Sequence, residues 1–194
     1  MIKGPIEILG VVSRALDQLG IDYLVGGSFA SSHYGVPRST LDVDLVAAVE
    51  RDDVSGLAQQ LSGEFYVDAQ LTLEAVQRGG TFNIIHRETM FKVDVFMMQR
   101  DEWSIEEMRR ARTETVIGAE GPVQIRFATP EDTLLHKLVW YRLGDESSDR
   151  QWDDVRGLMM VHGPRLDDDY LDLWAPSLKV ADLLARARAS FGSH

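Results

Sequence analysis

VGGSFASSHYGVPRSTLDVDLV, residues 25–46, is the stretch on which the fold turns. It opens by ending a short apolar run, IDYLV, at the paired glycines Gly26 and Gly27. Small residues follow as far as Gly35 and Pro37, so the pattern is strand, tight turn, short helix and loop. At the turn, Gly27 and Ser28 bring backbone N–H groups, a helix N-terminus and a hydroxyl toward one point, which suits an anionic group. Paired glycines at a strand end also serve as a plain turn. Beyond the loop, TLDVDLVAAV alternates carboxylates with apolar residues and then becomes wholly apolar, as a half-covered strand entering a core would. Asp42 and Asp44 therefore project from one face while Val43 and Leu45 enter the core. Side-by-side carboxylates repel unless a cation sits between them, and oxygen ligands with open water positions suit Mg²⁺. The alternative for an isolated pair is a solvated strand face.

Asp94 in FKVDVFM repeats the pattern, a lone carboxylate between Val93 and Val95. Burial without a partner is costly, so Asp94 either meets a cation or lies at an open edge. Lys92 shares its face and is a structural partner that would satisfy it without metal. Three strand carboxylates beside a glycine-serine turn form a coherent two-metal site. One metal would lower the pKa of an attacking hydroxyl, the other would neutralise a triphosphate, and a carboxylate would accept the proton.

Outward from this stretch, Ile6, Leu9, Val12, Leu16 and Leu19 recur at helical spacing and stop at Gly20. Residues 52–61, LTLEAVQR and 102–110 are also helical in pattern, and FYVD is strand-like. TFNIIHR and MFKVDVFMM flank a turn at Glu88 and Thr89 as an antiparallel hairpin, and RTETVIG with PVQIRFA makes a second strand pair. From Thr129 onward only helices are expected, in PEDTLLHKLVWYRLG, DRQWDDVRGLMMVHG, YLDLWA and LKVADLLARARASF. The fold class is therefore α+β: a mixed-sheet core over 1–128 flanked by helices, and a helical annex over 129–194 packed on it.

Taken together, the motif resembles that of the nucleotidyltransferase superfamily of the DNA polymerase β type. That motif is a glycine followed by glycine or serine, then two carboxylates separated by one apolar residue, then a third carboxylate on a later strand. Here Gly27 and Ser28 precede Asp42 and Asp44, with thirteen residues between Ser28 and Asp42, and Asp94 falls at the third place. The stretch looks closest to AbiEii-like and MenT-like nucleotidyltransferase toxins, whose arginine and threonine before the paired aspartates are matched by Arg38 and Thr40. TPEDTLLHKLVWYR resembles the family helix whose lysine contacts nucleotide phosphates, which implies that role for Lys137. DRQWDDVRGLM resembles the segment supplying a further catalytic aspartate, best matched by Asp154.

The resemblance implies a Mg²⁺-dependent enzyme that moves a nucleoside monophosphate from an NTP such as ATP to an acceptor hydroxyl. Catalysis would fall to Asp42, Asp44, Asp94 and Asp154, metal binding to Asp42, Asp44 and Asp94, and nucleotide binding to Gly27, Ser28, Arg38, Thr40 and Lys137. On physical grounds alone, Lys137 sits where its ammonium reaches the margin of an apolar helix face, which is also the place of a snorkelling lysine. Asp153 and Asp154 cannot share a helix face, so only one of them points inward. Arg38 either clamps a phosphate or pairs with the acidic cluster.

Composition narrows the acceptor. With 31 acidic and 20 basic side chains the net charge is -11, which repels a polyanion at long range. A tRNA acceptor, which the toxin families imply together with an antitoxin partner, requires a local basic patch, either Arg109, Arg110 and Arg112 or Lys179, Arg186 and Arg188. A cationic small molecule such as an aminoglycoside, the acceptor of enzymes with a similar pattern, fits the charge directly. A catalytically silent nucleotide-binding or partner module is the third alternative. No cysteine is present, which removes thiolate metal sites and a cysteine nucleophile. His33, His86, His136 and His162 lack metal-ligand spacing, and Ser28 lies in no nucleophile motif. The opening MIKGPIEILG has no basic segment leading into an apolar run, and no window approaches the roughly 18 apolar residues of a membrane span. A cytoplasmic protein without membrane contact is expected.

Overall fold

A computed structural model describes residues 3–37 and 42–191, which divide into two compact units. The first unit, 3–26 with 42–127, is built on a mixed sheet. Its strands are β1 (Tyr23–Val25), β2 (Asp42–Ala47), β3 (Phe65–Val67), β4 (Thr81–His86), β5 (Lys92–Met97), β6 (Arg112–Gly118) and β7 (Gly121–Phe127). They lie in the order β3-β4-β5-β2-β1-β7-β6. β1 is antiparallel to β2 and parallel to β7, β5 is parallel to β2, and β4 and β5 form the expected antiparallel hairpin. The alternation of β2 and β5 sends Val43, Leu45, Val93 and Val95 into the core, each essentially without exposure. Each such burial is worth about 1.5–3 kcal/mol.

Four helices complete this unit: α1 (Pro5–Leu19), α3 (Asp53–Leu61), α4 (Ala69–Arg78) and α5 (Glu102–Arg110), with α2 belonging to the other unit. α1 starts at Pro5 and ends where Gly20 turns left-handed at φ 69, returning its N–H to the last carbonyls. Its apolar stripe, Ile8, Leu9, Val12 and Leu16, is buried where α1 packs on β7, β6 and α3.

The second unit, 27–37 with 128–191, is helical: α2 (Gly27–Tyr34), α6 (Pro130–Leu143), α7 (Asp149–His162), α8 (Asp168–Ser177) and α9 (Ala181–Phe191). Side-chain caps start the later helices. Thr129 accepts the Asp132 N–H, Ser148 that of Gln151, and Asp167 that of Tyr170. The acidic run at 167–169 is thus a helix start. By packing, α2 groups with the helices after residue 128 rather than with the strands that flank it in the chain, because it lies against α6 and α7. Gly35 permits the approach: a Cβ there would stand 2.8 Å from the Ser31 carbonyl oxygen and 3.2 Å from the Gly157 backbone. Among the described residues no helix is long and apolar enough to cross a membrane.

Candidate active site

In the sheet unit, strand pairing assembles the carboxylates. β2 and β5 run parallel with Asp44 opposite Asp94 and Asp42 opposite Lys92. Neighbouring strands are about 4.8 Å apart, so the Asp44 and Asp94 side chains stand side by side on the face away from the core, where like charges are unfavourable. Lys92 relieves the charge: its Nζ lies 2.9 Å from Asp94 Oδ2. Asn83, opposite Asp94 on β4, donates its side-chain N–H to Asp94 Oδ1. Both oxygens of the third carboxylate are therefore engaged. The hydrogen bond to Asp94, aided by the charges of Asp94, Asp42 and Asp44 and opposed by partial burial, lifts the Lys92 pKa above the usual lysine value. Gly26 closes the cluster's backbone by donating its N–H to the Asp44 carbonyl at 3.0 Å.

No three His, Asp or Glu side chains among the described residues are gathered closely enough to enclose a metal ion. The donor set nevertheless fits a hard divalent cation by its chemistry. It offers oxygen only, from adjacent strands, with Asp42, Asp44 and Asp94 partly open to solvent. It also already draws in a positive charge, the Lys92 ammonium beside Asp94.

Beside this cluster lies a cavity of about 490 Å³, bounded by Leu71, Glu74 and Arg78 of α4, by Tyr66, and by Thr81 and Asn83 of β4. β3 pairs with β4 only from Ile84 to His86, and the cavity runs along the part of β4 left uncovered. Asn83 thus connects its wall to Asp94. Its size is that of small-molecule sites.

The helical unit holds the other constellation. Lys137 Nζ lies 2.7 Å from Asp154 Oδ2 and donates to Ser28 Oγ at 3.3 Å. Gly27, at φ 57, starts α2 and sets Ser28 in its first turn. The sequence reading places the Lys137 ammonium at the margin of a core face, but the whole residue is only 2% exposed. The reason is that α6 packs against α2, α7 and α8, so the part of the helix carrying Lys137 is covered on more than one side. Of the adjacent aspartates, Asp154 points inward and Asp153 outward, paired with Arg156. Arg38 and Thr40 lie outside the described residues.

One side chain at the site, Asn83, and one buried polar residue of the helical unit, Asp132, escaped the sequence reading. Asn83 was legible in principle, since a hairpin centred on Glu88 and Thr89 already sets it opposite Asp94. Asp132, fully buried, accepts from Thr129 Oγ1 at 2.6 Å and from the Tyr170 hydroxyl, and nothing in its helical spacing signals this. Some of the basic residues named as a patch for RNA already have partners. Arg188 donates to Asp172 and Asp168, and Arg186 stacks over Trp152 at 4.2 Å. Arg109 pairs with Glu106.

No family model and no curated protein matches the chain. Solved structures do resemble it. A nucleotidyltransferase-like antigenic protein from Paracoccidioides brasiliensis superposes with a TM-score of 0.55 at 18% identity, covering 93% of this chain and 90% of that one. The antibiotic-resistance factor ANT(2'')-Ia in solution gives 0.53 at 14% identity, covering 97% of both chains. Its crystal structure with adenylyl-2''-tobramycin gives 0.54 at 14% identity, covering 90% and 96%. At such identities the likeness establishes the fold, which is that of nucleotidyltransferase-like proteins.

Proposed function

We propose that this protein is a metal-dependent nucleotidyltransferase that moves a nucleoside monophosphate from an NTP to an acceptor hydroxyl and releases pyrophosphate. The observation that carries the reading is the register of β2 and β5, which sets Asp44 beside Asp94 with Asp42 on the same face. The fold shared with nucleotidyltransferase-like proteins supports it. Asp42, Asp44 and Asp94 would hold Mg²⁺, which would lower the pKa of the attacking hydroxyl and neutralise charge on the triphosphate. One strand carboxylate accepts the hydroxyl proton as the new phosphate ester bond forms and the bond to pyrophosphate breaks. Ser28 and the first N–H groups of α2, with Lys137, bind phosphate oxygens. Asp154 orients Lys137 through their ion pair, so its part is positioning. Arg38 and Thr40 are assigned to the nucleotide by the family resemblance alone.

For the acceptor, a cationic small molecule is the reading we put first. A net charge of -11 attracts one, and Arg188, one of the C-terminal basic residues that a tRNA would need, is paired with Asp168 and Asp172. The cavity beside Asn83, with Asp68 and Glu74 in its walls, is a place for such an acceptor near Asp94. A tRNA acceptor with an antitoxin partner is the second reading, carried by the family resemblance.

The test is label transfer from each of the four NTPs, with Mg²⁺, onto total tRNA and onto an aminoglycoside panel, in wild type and Asp44→Ala. Label on an aminoglycoside, lost by at least about a hundredfold in the variant, supports the small-molecule reading. Label on tRNA transfers support to the toxin-like reading. Absence of both label and Mg²⁺-dependent NTP binding would leave a silent binding module.

A further inference from the structure

We propose that Lys92 is a tethered counter-cation that holds Asp94 until a divalent ion displaces it, so that metal binding at the strand carboxylates is an exchange of cations. The inference rests on the reading of Asp42, Asp44 and Asp94 as metal ligands. Both oxygens of Asp94 are already engaged: Oδ1 receives the Asn83 amide and Oδ2 faces the Lys92 ammonium at 2.9 Å. An ion drawn to Oδ2 meets the like charge of the lysine there and must push it aside. Asn83 is short and fixed by the β4–β5 register, whereas Lys92 has a flexible four-carbon stem and a side chain 42% exposed. Lys92 can therefore swing into water without stranding a buried charge, and Asn83 keeps the carboxylate aimed as it leaves.

The position of the lysine adds weight. It sits opposite Asp42 in the register and reaches along its own strand to Asp94, so its charge lies among all three carboxylates. Without a metal it limits the repulsion that parallel pairing forces on Asp44 and Asp94. With a metal present, a doubly charged ion outcompetes a single ammonium for the same oxygens. The consequence is an ion affinity lower than that of the same three carboxylates without the lysine.

Mn²⁺ is the probe, followed by the loss of its free-ion electron paramagnetic resonance signal on titration into wild type, Lys92→Met, Lys92→Gln and Lys92→Arg. Loss of the competing cation should tighten Mn²⁺ binding about fivefold or more in the Met and Gln variants, with the Arg variant near wild type. The gain should shrink at high salt, which already screens the lysine. If Lys92→Met does not fold, Lys92→Gln decides the matter, since it keeps a hydrogen-bond donor to Asp94 without the charge. Unchanged affinity in the neutral variants, with binding abolished by Asp44→Asn, overturns the exchange and leaves the metal site standing. Failure of wild type and every Lys92 variant to bind Mn²⁺ overturns the exchange and the functional reading together.

Discussion

Lys92–Asp94 on the sheet and Lys137–Asp154 among the helices are the same chemical pair at nearly the same distance, 2.9 and 2.7 Å. Their surroundings differ. The side chains of the first are 42% and 14% exposed, those of the second 3% and 7%. Water can take over the sheet lysine if its partner is lost, whereas Lys137, with its side chain 3% exposed, is closed off from solvent. The exposed pair can come apart in water and the buried one cannot without stranding a charge, which is what the roles proposed for Lys92 and Lys137 require.

The largest expected effect breaks the buried pair. Asp154→Ala leaves an uncompensated ammonium and should cost about 3–5 kcal/mol in urea unfolding, while Lys92→Met should cost about 1 kcal/mol or less. Joint replacement by Lys137→Met and Asp154→Leu should recover most of the loss, because an apolar pair leaves no charge behind. Equal costs for Asp154→Ala and Lys92→Met would remove the contrast.

A smaller effect tests the packing that encloses Lys137. Gly35→Ala pushes a methyl against the Ser31 carbonyl and the Gly157 backbone and should cost about 1–3 kcal/mol by overpacking. Gly63→Ala meets nothing within 4 Å and should stay within about 0.5 kcal/mol. A matching loss at both glycines would mean that the close approach of α2 to α7 contributes nothing.

The mildest test is acid titration of exposed carboxylates. The hydrogen bond from Arg142 holds Asp182 below the usual carboxylate value of 3.8, and the Leu71 N–H does the same for Asp68. A carboxyl whose folded pKa lies below its unfolded one contributes fully above the unfolded value, and the contribution fades as pH falls through the folded one. Lys92, raised above 10.5, contributes fully below that value and loses its share only as pH rises through its folded pKa. Thermal scans should therefore show these groups silent from about pH 5 to 10 and a falling Tm below about pH 4, with a shallower acid limb in Arg142→Met. An unchanged limb in that variant would show the Arg142–Asp182 pair to be inert.

Much of the architecture was legible because short-range rules govern it. Alternation in DVDLVA and KVDVFM announced two strands with carboxylates on one face, and the spacing from Ile6 to Leu19 announced a helix that Gly20 does stop. Lys137 was misplaced because periodicity describes a helix with one covered side, and α6 is covered on several. Asn83 was overlooked because a polar residue on an exposed strand face looks ordinary until its neighbour across the hairpin is known.

Local pattern alone thus settled the α+β class, the strand and helix order and the three strand aspartates, since backbone periods of two and 3.6 residues are written directly into residue order. Register, enclosure and ion pairing came only from the folded chain. That Asp44 faces Asp94, that Lys92 already holds Asp94, and that Lys137 lies buried against Asp154 depend on contacts between residues far apart in sequence. Such contacts are set by how whole elements pack, and no single stretch contains them.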